Sequence, residues 1–348
     1  MLSTIRKLLL VTVVISLVAA SCGDDDSSAT TAATATTAAT ATTAAPATTA
    51  APVDKKIAVT LTVGLEGSGF GLAAKEGIRL IEQELGLEVT VIDRVAVADI
   101  ADTMRDLGSQ GFDLVIHFGA SGQQPIFEVS PEFLDTWYVT LNGFLAQGSN
   151  AASYDYVWEQ GGFLAGLVAG FGTSANKVAG LGAIDIPPIR RLLEGFEQGV
   201  LASNPGADVT LTFTGDFADP AVNKEAALVE IARGADMIFA ITDAGNPGVF
   251  QATEEADGVS GIGYGVDENE LGPNSVVTSL EVLYSAAMLE MAERLVDGTL
   301  EAKVYLGSFE TDAWSLAPFR GTTPAGDPID VADLVARAYA GEYDIQTP

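Results

Sequence analysis

Few residues in this chain could do covalent chemistry. Of 348 residues, one is a cysteine, Cys22, and one is a histidine, His117. Cys22 follows Ala19-Ala20-Ser21, and this quartet closes a segment in which Arg6 and Lys7 precede the apolar run Leu8 to Ala20. Small residues before a cysteine at the end of such a run read as a lipobox, the point at which a leader is cut and the cysteine acylated. The run is shorter than the roughly 20 apolar residues that a spanning helix needs. The expectation is a leader over 1–21 and a Cys22 carrying palmitate-type chains, each gaining about 0.8 kcal/mol per buried methylene in a membrane. His117 sits inside the apolar run Asp113–Phe118 and reads as a hydrogen-bonded core residue rather than a base. No Gly-x-Ser-x-Gly elbow, phosphate-binding Gly-x4-Gly-Lys-Ser/Thr loop or His-Glu-x-x-His pair occurs. Gly67-x-Gly69-x-Gly71 lacks the spacing of a dinucleotide fingerprint. One cysteine allows no disulfide within the chain, and without a Cys/His cluster there is no zinc site. These observations point to binding without catalysis, metal or cofactor.

Binding groups are better represented. Short polar residues and aromatic rings recur where apolar runs end: Ser68 and Phe70, Ser121, Asn142, Trp158, Phe217, Asp243 with Asn246, and Asp267. Aromatic rings stack on flat faces, and carboxylates and amides fix hydroxyls or N–H groups by direction. Together they suit a small polar ligand with one flat face. Asp219, just before Pro220 and a helical pattern, reads instead as a helix cap.

Positioning these residues requires a scaffold, and the chain supplies a repetitive one. Residues 22–54 begin with the acidic GDDDSS and continue as Ala, Thr and Pro, with no apolar face to bury, so they read as a disordered tether. From Lys55 onward, strand-like runs such as Ile57–Val63, Asp113–Phe118 and Asp236–Ile241 alternate with amphipathic stretches of helical period. Such near-continuous apolar strands predict parallel sheets covered by helices on both faces. Residues 111–128 and 234–251 also repeat: Gly111, Asp113, Gly122 and Phe127 align with Gly234, Asp236, Gly245 and Phe250.

The expected fold is α/β, with two similar lobes, each a parallel sheet flanked by helices, joined by a three-segment hinge. The N-terminal lobe is expected over 55–156 plus 281–305 and the C-terminal lobe over 157–280 plus 306–348. Crossings fall near Asp155–Trp158, Thr278–Glu281 and Tyr305–Ser308. Ligands of open α/β sheets bind beyond the carboxyl ends of the strands, so facing lobes would make a cleft there.

Charge narrows the partners. Acidic residues number 47 and basic residues 17, for a formal charge of −30, which becomes −32 once Arg6 and Lys7 leave with the leader. A surface of that sign repels phosphate backbones and excludes nucleic acid as a partner.

The order of motifs resembles the basic membrane protein (BMP) family of substrate-binding lipoproteins. The matching stretches are Gly69-Phe70 with Gly77, Asp113–Phe118, Gln160-Gly-Gly-Phe-Leu-Ala-Gly166, and Gly195-Phe196 with Gly199. Further along come Gly215-Asp-Phe-Ala-Asp-Pro220, Gly265-Val-Asp-Glu-Asn269 and Val276-Val-Thr-Ser279. The resemblance, over about Lys55 to Phe319, implies a type I periplasmic-binding-protein fold. It also implies a lipid-anchored receptor on the extracytoplasmic face of the cell membrane, feeding an ABC permease. In the nucleoside receptors of that family, Phe217 would stack on a purine and Asp267 would bind ribose hydroxyls, with Asn142 at a position often held by aspartate. The chain departs from the pattern at Gly67-Ser-Gly-Phe-Gly-Leu72, at Lys75 in place of an aromatic, and at Val282 beside Glu281 in place of a lysine. A nucleoside is the first expectation for the ligand and a sugar-like solute the second. The alternatives are a signalling lipoprotein presenting ligand to a membrane receptor and a surface nucleoside hydrolase. The latter would require an aspartate cluster near the first strand that Gly64–Gly71 does not supply.

Overall fold

The computed structural model describes residues 55–66, 69–326 and 329–347. Cys22, the tether and Ser68 lie outside these residues. The first half of the fold runs β1 (Ile57–Leu61), α1 (Gly69–Leu85), β2 (Val89–Ile92), α2 (Ile100–Ser109), β3 (Leu114–Phe118), α3 (Gln123–Val129), β4 (Trp137–Leu141) and β5 (Ala151–Tyr156). The chain then builds a second set: α4 (Trp158–Gly172), β6 (Lys177–Gly182), α5 (Pro187–Ser203), β7 (Asp208–Phe213), α6 (Pro220–Ala232), β8 (Met237–Ile241), α7 (Asn246–Glu255), β9 (Ser260–Gly265) and β10 (Val276–Val282). It closes with α8 (Tyr284–Val296), β11 (Val304–Gly307), β12 (Trp314–Leu316) and α9 (Val331–Tyr339).

The strands form two six-stranded sheets, ordered β11-β5-β4-β3-β1-β2 and β12-β10-β9-β8-β6-β7. The second order repeats the first, with β12 antiparallel in the place of β11. This is the two-lobed α/β architecture expected from the alternating pattern. Strands β1, β3 and β8 are buried along their whole length, as an apolar run covered on both faces must be. The chain passes between the sheets three times: between β5 and β6, between β10 and β11, and between β11 and β12. Around these passages Tyr156, Trp158, Tyr284 and Trp314 pack ring on ring at centroid distances of 5.2–5.6 Å.

Two elements depart from the sequence pattern. Ala151–Tyr156 (AASYDY) has no continuous apolar run, yet it is strand β5, because β4 and β11 pair with it on either side. The helical pattern beginning at Val282 starts at Tyr284 instead, since β10 extends to pair Val282 with Trp314.

His117 is fully buried in β3, with Nδ1 bonded to Thr60 Oγ1 at 2.9 Å and Nε2 to Ser121 Oγ at 3.1 Å. Burial without an anionic partner pushes its pKa down to about 4. An unfolded chain would take up the proton near 6.5, so the histidine's contribution is complete above that pH and is lost as pH falls to about 4. His117→Ala should therefore lower the Tm at pH 7.5, and the parent's advantage should shrink by up to about 3 kcal/mol between pH 6.5 and 4. Chemical denaturation of both proteins across that range measures it. An advantage that grows on acidification would contradict a neutral core imidazole.

Candidate functional site

The carboxyl ends of the two sets of strands enclose a cavity of about 380 Å³. From the first sheet come Gly119 and Ala120 beyond β3, Asn142 beyond β4, and Phe70 in the first turn of α1. From the second come Ile241 and Asp243 at the end of β8, Phe217 in the loop after β7, Tyr264 at the end of β9, and Ile186, Pro188 and Ile189 around the start of α5. Trp158, opening α4, completes the wall. A groove between β12 and α9 is larger, at about 660 Å³, but it lies away from these strand ends.

Each wall residue is held by its own loop. Phe217 sits in a turn in which Asp216 Oδ1 accepts the amides of Ala218 at 2.6 Å and Asp219 at 2.9 Å. Asp219 then caps α6, accepting the Ala221 amide at 2.8 Å. The Phe217 carbonyl accepts the Gly245 amide at 3.0 Å, which ties this turn to the loop carrying Asp243. Phe70 is packed edge-on against Phe118 and tilted against Tyr284, both at 5.2 Å. Trp158 is buried, its Nε1 donating to Asp155 Oδ1 at 2.9 Å, so it offers the cavity only part of its ring.

The polar groups of the cavity are chiefly acceptors. Asn142 adopts φ 62° and its Nδ2 donates to the Tyr284 hydroxyl at 3.4 Å, while its buried Oδ1 has no partner. Tyr284 and Tyr264 are hydrogen-bonded to each other, and burial pushes the Tyr284 hydroxyl up to about 12. Asp243 adopts φ 51°, a left-handed conformation that costs any side chain except glycine, though aspartate and asparagine least. Solvent reaches its carboxylate through the cleft, but the surrounding protein raises its pKa above the ordinary carboxylate value. Among the described residues, no Lys, Arg or His lines the cavity.

Other candidate residues lie elsewhere. Ser121 is exposed and bonds His117 rather than facing the cavity. Asn246 is buried one layer behind, its Oδ1 accepting both the amide and the hydroxyl of Thr242 at 2.8 Å. Its Nδ2 donates at 2.8 Å to Glu268, whose Oε2 also accepts the Tyr264 amide at 3.0 Å. Burial pushes the Glu268 carboxyl up to about 8. Asp267 is outside the cavity wall, and the Arg320 guanidinium grips both its oxygens at 2.8 and 2.6 Å. Sequence reasoning missed Ile186, Pro188, Ile189 and Tyr264. Tyr264, an aromatic residue at the end of a strand, carried the signal that singled out Phe70 and Phe217.

The family of ABC-transporter substrate-binding proteins described as PnrA-like matches residues 54–306. The chain belongs to that family. It is 25% identical to the transcriptional activator protein med of Bacillus subtilis over 72% of this chain and 78% of that one. It is 23% identical to the ABC transporter nucleoside-binding protein BmpA of Lactococcus lactis, over 70% of this chain and 75% of that one. A solute-binding protein of an ABC transporter system from Conexibacter woesei has the same fold, with a TM-score of 0.69 and 24% identity over 84% of this chain and 98% of that one. The PnrA-like chain is thus a substrate-binding protein of an ABC transporter, a class that binds small molecules outside the membrane for permease subunits. Among the described residues, no helix is long and apolar enough to cross a membrane.

Proposed function

We propose that this protein is a lipid-anchored receptor that captures a nucleoside-type ligand between its lobes and presents it to an ABC permease. The observation that carries the reading is the placing of Phe217, whose ring has no aromatic partner among the described residues, in one small cavity with Phe70 and the acceptors Asn142 and Asp243. A flat base can cover such a ring while its edge and its sugar donate to the acceptors. The volume lies in the range of small-molecule sites. The lack of a cation in the wall disfavours phosphorylated ligands, which would meet a carboxylate and nothing to neutralise them. The name of the Lactococcus relative supports the same ligand class.

Mass spectrometry of the small molecules that co-purify with the protein should return a nucleoside. Phe217→Ala should then weaken calorimetric binding of that ligand roughly ten- to hundredfold, since one base–aromatic stack is worth about 1–3 kcal/mol. Its Tm should stay near the parent's, because the ring is only partly buried. Unchanged affinity in the variant would place the ligand elsewhere.

A further inference from the structure

The cavity's chemistry narrows the ligand further, in an inference that rests on the reading above. Its open side-chain acceptor is the Asp243 carboxylate, which needs donors; the Asn142 amide spends one of its two N–H groups on Tyr284 and keeps its Oδ1 buried without a partner. The carboxylate makes no side-chain hydrogen bond and no ion pair among the described residues, and apolar groups of Ile186, Phe217 and Ile241 share its cavity. Its loop is fixed: Asn246 clamps Thr242 on one side, and the Gly245 amide holds the Phe217 turn on the other. Asp243 holds its carboxylate at the cleft at the cost of a left-handed backbone, φ 51°, and offers there two oxygens that no protein donor occupies among the described residues.

We propose that Asp243 is a specificity residue that receives an amidine-type edge, two N–H donors on the neighbouring nitrogens of one N–C–N unit, and so favours guanine nucleosides over other bases. A carboxylate has two coplanar oxygens, and a fork of two parallel N–H donors satisfies both at once. Guanine presents this fork through N1–H and its 2-amino group. Hypoxanthine keeps N1–H and lacks the second donor. Adenine sets its amino group beside an acceptor nitrogen, and uracil flanks its single N–H with carbonyl oxygens that repel the carboxylate. A guanidinium group carries the same fork on a cation.

The test is calorimetric titration of the purified, ligand-stripped protein with guanosine, inosine, adenosine and agmatine, in the parent and in Asp243→Asn. Asparagine tolerates the left-handed conformation and nearly matches the volume, and the melting curve of the variant checks that it folds. One hydrogen bond to a charged acceptor predicts that the parent binds guanosine at least tenfold tighter than inosine. Asp243→Asn should lose tenfold or more in guanosine affinity and close that gap, while inosine changes only a fewfold. Equal binding of guanosine and inosine by the parent, or an unchanged guanosine affinity in Asp243→Asn, overturns the role of Asp243 and leaves the nucleoside reading standing. Agmatine binding that Asp243→Asn abolishes, with no nucleoside bound, upholds the edge and overturns the nucleoside. Binding of none of the four overturns both.

Discussion

Gly166→Val should lower the melting temperature by roughly 10 °C. Helices α4 and α5 lie backbone on backbone, and the close approach is made by glycines from both. A Cβ at Gly162 would lie 1.9 Å from the Leu192 carbonyl oxygen, and one at Gly166 would lie 2.1 Å from that of Phe196. In return, α5 offers Gly195 to the carbonyl of Glu159 and Gly199 to that of Phe163, at 2.2 and 2.1 Å from their would-be Cβ atoms. No flexible side chain can yield here, so the helices must separate and their shared core must open. Overpacking usually costs about 1–3 kcal/mol, and backbone contact places this case above that range, near 4 kcal/mol. For a domain of this size each kcal/mol moves the Tm by about 2–4 °C.

The same interface positions the site: Trp158 and Ile189 of the cavity wall stand near the starts of the two helices, and Arg191 grips the buried Glu159 carboxylate at 2.6 and 2.9 Å. Gly166→Val should therefore weaken ligand binding as well as stability. Leu201→Ala, on the exposed side of α5, serves as the control and should change stability by less than about 0.5 kcal/mol. A Gly166→Val protein that melts within 2 °C of the parent would show that the helices are not held in this contact.

The second large effect concerns location rather than stability. Cys22→Ala should move the protein from the membrane pellet to the soluble fraction almost completely. Acyl chains add: one gives marginal, reversible attachment and two or three give a durable one, while residues 23–52 contain no apolar segment to replace them. Fractionation after a high-salt wash separates lipid attachment from electrostatic adhesion, which a chain of charge −30 would in any case make weak at an anionic surface. A variant still found in the pellet after that wash would contradict the proposed anchor.

How much was legible in the sequence depends on the range of the interaction that decides each feature. The proposed lipobox is a contiguous pattern, so the reading of Cys22 comes from the sequence alone. Strands such as β1, β3 and β8 declare themselves because burial on both faces demands an unbroken apolar run, which the sequence displays residue by residue. The duplicated strand–loop–helix units announce two sheets wound alike. Because ligands meet such sheets at strand ends, Phe70, Asn142, Trp158, Phe217 and Asp243 could be picked out before their contacts were known. Strand β5 could not, since its small and polar residues become strand only through pairing with β4 and β11, the latter drawn from about 150 residues away. Asp267 was a reasonable candidate by position, but its partner Arg320 arrives from a segment 53 residues later. Asn246 and Glu268 follow the same rule: 22 residues apart, they meet only because β8 and β9 are neighbours in the sheet. Periodicity and turn chemistry are local and fix which segments are strands and where their loops begin. Which loops then face each other, and whether a carboxylate meets an arginine, an asparagine or an open cavity, is set by the order of strands in the sheets and the path of the chain between them.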